Sequence, residues 1–148
     1  MKYKLKNYST TVSAEKTIAE IEKMLSQFGA KAIMKEYNED GKVRMLSFKY
    51  FDKGFKLPAN VNGVKKVLYE GKRSYHGRDS MKLREERAYR VTWRIIKDWV
   101  HAQLSLIASG QAHPHEIFLP YMYDGERTLY QALKERNFKL LEGKVKND

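Results

Sequence analysis

Arg84, Arg87, Arg90, Arg94, Lys97 and His101 recur at steps of three and four residues, which places them on one face of a helix turning about 100° per residue. A guanidinium stays charged at any working pH and offers a planar fork to phosphate oxygens. A row of them along about three helical turns therefore suits a nucleic-acid backbone. Solvated helix faces usually mix signs, whereas only Glu86 and Asp98 lie near the edges of this stripe. The opposite arc carries Ala88, Val91, Thr92, Ile95, Ile96, Trp99, Ala102, Leu106 and Ile107, a side built for a core. Trp93 falls between arc and stripe, beside Arg90 and Lys97, where an indole either stacks on a base or caps the core. Ahead of the helix, Lys72, Arg73, Tyr75, His76 and Arg78 interleave cations with an aromatic, a composition that serves a single strand and an ordinary solvated loop alike. The expected contact set is Arg84, Arg87, Arg90, Arg94 and Lys97, helped by Lys72, Arg73 and Arg78, with Trp93 as a stacking platform.

A second cluster, His113-Pro114-His115-Glu116, has the nitrogen and carboxylate donors that suit zinc or another divalent ion. Two histidines across a proline do not define a tetrahedral site, and further ligands would have to come from His101 or His76 through the fold. Nuclease chemistry of the acid plus Glu-x-Lys type finds only Glu20-Ile21-Glu22-Lys23 on a helix and Asp40-Gly41-Lys42 in a turn, both in the wrong setting. No Gly-rich phosphate loop, Gly-x-Ser-x-Gly elbow or cysteine nucleophile occurs. No residue is nominated as catalytic, and no cofactor is expected.

The elements that must position these groups follow from local patterns. Ser13 caps a helix over 14–28 whose apolar stripe is Ile18, Ile21, Leu25 and Phe28, with Gly29 as its stop. Residues 2–8 alternate Lys2, Lys4 and Lys6 with Tyr3, Leu5 and Tyr8, which predicts a first strand whose lysines keep its edge from pairing wrongly. Runs 30–37 and 43–50 read as a hairpin closed by Asp40-Gly41, and Phe55-Lys56-Leu57 as a third run stopped by Pro58. Val61, Val64 and Leu68 suggest a short helix ending at Gly71; the striped helix is expected over 80–109 with Gly110 as its stop. Turns around Pro114 and Pro120 lead to a last helix at Leu129, Tyr130 and Leu133, with 138–141 packing back as a tail.

The expected fold class is α+β: a small antiparallel sheet with an N-terminal strand and helix, followed by a mainly helical C-terminal half led by one long amphipathic helix. The 148 residues suit a single domain, with an α/β half over 1–71, a basic linker over 72–79 and a helical half over 80–148. Lys and Arg number 29 against 18 Asp and Glu, a formal charge of +11, and residues 61–97 alone hold eleven cations against four acids. Such an imbalance speaks to polyanionic partners rather than to fold. The absence of cysteine excludes a disulfide framework and a thiolate zinc site, and fits a reducing cytoplasm. The basic start has no apolar stretch behind it, and no window reaches the roughly 18 apolar residues of a membrane span.

The segments VSAEKTIAEIEKMLSQFGAKAIMKEY, FKLPAN, AYRVTWRIIKDWVHAQLSLI, FLPYMYDG and TLYQALKERNFKLL resemble those of a family of small, uncharacterised proteins encoded by tailed bacteriophages and prophages. The resemblance spans most of the chain. It implies a phage origin and a host-cytoplasm setting, and it transfers no site residue. The functional expectation is a non-catalytic nucleic-acid-binding accessory protein that holds DNA or RNA through backbone charge. The alternative is a protein that binds and inhibits a host defence or regulatory protein by docking an acidic surface on the same stripe.

Overall fold

The computed structural model describes residues 4–72 and 77–139, with the side chains of residues 77–79 outside that description. The order is α1 (Ala14–Phe28), β1 (Ala32–Tyr37), β2 (Val43–Tyr50), β3 (Lys53–Lys56), α2 (Val61–Tyr69), α3 (Gly77–Ala108), α4 (Pro114–Phe118), a 3-10 turn at Leu119–Tyr121, and α5 (Leu129–Glu135). This is the expected α+β arrangement.

Local chemistry accounts for the element ends. The Ser13 hydroxyl accepts the Lys16 N–H at 3.2 Å, satisfying one of the free donors of the first turn of α1. Gly29 closes the helix at φ 116°, a left-handed conformation that spares glycine the Cβ clash, and its N–H reaches the carbonyls of Leu25 and Ser26. Ala14, Thr17, Ile18, Ile21 and Leu25 are buried at the steps of three and four that the sequence shows. Thr128 and Gln131 form a reciprocal capping box at the start of α5.

The sheet is antiparallel in the order β1-β2-β3. Central β2 buries Val43, Met45, Leu46, Ser47 and Phe48 in near-continuous succession, because both of its faces are covered. Phe48 and Phe55 face each other across β2 and β3 with ring centroids 5.4 Å apart. Beyond β3, the Tyr123 N–H bonds the Gly54 carbonyl at 2.8 Å, and a Cβ on Gly54 would stand 3.2 Å from the Tyr123 carbonyl oxygen. Glycine there permits the close approach.

α1 and α3 lie against the sheet, and one core joins Ile18, Ile21 and Leu25 of α1, Leu46, Phe48 and Phe55 of the sheet, and Trp93, Ile96 and Val100 of α3 with Phe118. α3 is the centre of the molecule. Ala88, Tyr89, Val91, Thr92, Trp93, Ile96 and Val100 are all buried and span more than half of its circumference at 100° per residue.

Three expectations change. Residues 4–8 form no strand: residues 6–9 make a turn with Asn7 at φ 64°, because Lys6 and Asn7 are drawn onto the carboxylate of Asp98, at 3.3 and 2.7 Å. The lysines of this segment therefore guard no sheet edge; Lys4 sits over the Tyr8 ring instead. The striped helix starts at Gly77, inside the expected 72–79 linker. Among the described residues, no helix is long and apolar enough to cross a membrane.

Candidate nucleic-acid interface

The α3 stripe exists as a helix face, yet the chain covers much of it. The Arg87 guanidinium donates to the carbonyl oxygen of Tyr8 from Nε at 3.0 Å and Nη2 at 2.7 Å. Arg90 Nε approaches the Thr10 carbonyl at 3.5 Å. One turn further on, Arg94 and Lys97 both donate to Glu20 of α1, and their side chains are only 27% and 22% exposed. The hydrogen bond from Lys97 is the main cause that holds the Glu20 carboxyl below its ordinary range, against the opposing effect of burial. At Asp98, burial pushes the carboxyl up, and the hydrogen bonds from Asn7 and Lys6 outweigh it to leave a lowered value.

This corrects the expectation for Arg90, Arg94 and Lys97. The shortage of acids along the stripe is met by one carboxylate from α1 and by backbone carbonyls of the N-terminal segment. Glu20 carried a weak signal, since it borders the buried stripe of α1, but no local pattern says which helix α1 packs against.

Trp93 is also corrected. Its ring is 0% exposed and belongs to the core, so it offers no face to a base. A central helix buries residues that a two-sided wheel assigns to a border. Tyr89 is a structural pin, accepting the Val43 N–H on its hydroxyl at 2.9 Å, and its burial raises its pKa.

The other end of the stripe has a different character. The Arg84 guanidinium stands 4.6 Å from the centre of the Tyr69 ring of α2, and Arg87 stands 5.9 Å from the same ring, so one tyrosine gathers both cations. Lys66, Lys72 and Lys82 are exposed around this junction of α2 and α3, with no carboxylate partner among the described residues. Arg73, with Tyr75, His76 and the side chain of Arg78, lies outside the described residues.

No protein-family model, curated protein or solved structure matches the chain. The site is therefore argued from its own chemistry.

A cleft of about 260 Å³ between the β1–β2 turn and the start of α2 is lined by Lys42, Arg44 and Lys65. Those cations are already matched: Arg44 by Glu36, Lys65 by Glu85, and Lys42 by the Tyr89 ring. The metal expectation at His113, His115 and Glu116 gains no geometry, since no group of three such ligands gathers among the described residues. Instead His113 caps α4, its Nδ1 accepting the His115 N–H at 3.2 Å, and its ring stacks on that of His115 with centroids 5.2 Å apart. The histidines join a set of aromatic rings that sequence reasoning missed. Phe28 stacks on Tyr50 at 4.7 Å, Tyr50 meets Phe51 edge-on at 4.6 Å, and Phe51 stacks on His115 at 6.4 Å.

Proposed function

We propose that the chain is a phage-encoded, non-catalytic accessory protein that acts in the host cytoplasm and holds DNA or RNA by backbone charge. The observation that carries this reading is the α2–α3 junction, where Arg84 and Arg87 share the Tyr69 ring and Lys66, Lys72 and Lys82 lie exposed without carboxylate partners among the described residues. The contact set narrows from the whole stripe to its N-terminal end, because Glu20 and the 4–12 segment already engage the rest.

The test is a fluorescence-anisotropy titration of single-stranded and duplex DNA and RNA at about 50 and 200 mM salt, a range over which a many-phosphate binder loses orders of magnitude in affinity. Joint replacement of Lys66, Lys72 and Arg84 by Glu is expected to weaken binding and to flatten the salt slope by roughly one unit per lost phosphate contact. A charge-reversed variant that binds like wild type would sink the reading.

A second reading, docking on a host protein and inhibiting it, draws on β1. That strand is an edge of the sheet and presents Met34 and Tyr37 to solvent. Capture from nuclease-treated host lysate separates the two, since a partner retained without nucleic acid favours inhibition.

A further inference from the structure

Phe51 is in an unusual place for a phenylalanine. It opens the two-residue loop between Tyr50 and Lys53, with φ at 53°, a left-handed conformation that hairpin loops normally give to Gly, Asn or Asp. A bulky side chain there carries backbone strain, and burial does not offset it, because Phe51 remains 64% exposed. The ring is nevertheless held in place. Tyr50 meets it edge-on and is itself braced by Phe28, while His115 stacks on its other side with planes 27° apart. His113 continues the row by stacking on His115 at 23°, and its side chain is fixed by its role as the cap of α4. Beneath the row, buried Phe55 contacts His115 and ties the exposed rings to the core.

The surroundings are cationic. Lys53 pairs with Tyr50 in the β2–β3 ladder, Lys49 lies opposite Gly54, and the Lys31 N–H bonds the Lys49 carbonyl, so all three lysines sit at the same end of the sheet as Phe51. Lys31 and Lys49 are exposed and have no carboxylate partner among the described residues; Lys53 meets Asp52 at 3.6 Å. Asp52 and Glu116 are the acids adjoining these rings in sequence.

We propose that Phe51, with His115 and His113 behind it, is a stacking platform for an unpaired base of a single-stranded nucleic acid, and that Lys31 and Lys49 take the flanking phosphates. The chemistry matches because every base offers a π face and every linkage a negative charge, so a braced ring flanked by lysines binds single strands with little regard to sequence. The platform rests on the nucleic-acid reading above and names its preferred form as single-stranded. It lies at the β2–β3 turn, apart from the α2–α3 junction, so the two surfaces are separable by mutation.

The experiment uses oligothymidylate and oligouridylate carrying one 2-aminopurine, beside a blunt DNA duplex, against wild type, Phe51→Gly and Phe51→Tyr. Glycine removes the ring and tolerates the positive φ, so the variant is expected to melt no lower than wild type. It should bind both single strands roughly 5- to 100-fold more weakly, the effect of one lost base stack, and lose the 2-aminopurine quenching. Phe51→Tyr should behave as wild type, and duplex affinity should be unchanged in both variants. Equal single-strand affinity and intact quenching in Phe51→Gly would overturn the platform while leaving the α2–α3 reading standing. Equal wild-type affinity for duplex and single strands without quenching would overturn it too, assigning the aromatic row to a protein partner. Failure of wild type to bind any oligonucleotide at low salt would remove both readings together.

Discussion

Arg87 grips the carbonyl oxygen of Tyr8 with two nitrogens, Nε at 3.0 Å and Nη2 at 2.7 Å, and so fastens a segment 79 residues away in sequence across the face of α3. An arginine placed to look like a phosphate ligand thus also serves as a fastener. Replacement of Arg87 by Ala should release residues 4–12, seen as faster amide exchange there, at a global cost of about 1 kcal/mol, because the bond is charge-assisted but exposed. Unchanged protection of this segment would show that the Asp98 contacts alone hold it.

Glu20 should shape the acid limb of the stability curve. Its folded pKa is lowered chiefly by the Lys97 hydrogen bond, against an ordinary value of 4.5. A depressed carboxyl contributes stability that is fully present above the unfolded value and is lost as pH falls through the folded one. Denaturant midpoints measured from pH 7 downward should fall on the acid side of the ordinary carboxylate range in wild type. Glu20→Gln should lower stability at pH 7 by about 1 kcal/mol and show a shallower acid loss. Parallel curves for the two proteins would remove Glu20 from this role.

Trp93 should report the core and nothing bound to the surface. In a Trp99→Phe background its emission should be blue-shifted, resist iodide quenching and stay unchanged when oligonucleotide is added, since the ring is fully buried. Trp93→Ala should cost about 3–5 kcal/mol, the usual range for deleting a large buried aromatic. A quenching response to oligonucleotide would contradict the burial.

Thr17 is fully buried on α1, and its hydroxyl has no hydrogen-bond partner in the protein among the described residues. Valine has nearly the same shape without the polar atom. Thr17→Val is therefore expected to leave the melting temperature unchanged or to stabilise by up to about 1 kcal/mol. A clear loss of stability would mean that the hydroxyl is bonded after all.

The sequence by itself determined those elements whose causes are local. α1 follows from the Ser13 cap, the Gly29 stop and a stripe of buried residues, and the hairpin from an Asp-Gly turn between two strand-forming runs; α3 is legible in its 3.6-residue period and ends one residue before the expected Ser109. The segment before α1 misled because an alternation of Lys with Tyr and Leu is a period of two in any conformation, and only the pull of Asp98 on Lys6 and Asn7 bends it into a turn. The tertiary structure alone decided what the basic stripe faces. Glu20 and Lys97 lie 77 residues apart, and Asn7 and Asp98 lie 91 apart, distances over which no local period carries information. It also decided that Trp93 is core, because a helix at the centre of a fold is covered on more sides than its own amphipathic pattern declares. The aromatic row at Phe51 likewise exists only because the β2–β3 turn and the start of α4 meet in space, bringing together rings that the sequence separates by 64 residues, from Phe51 to His115.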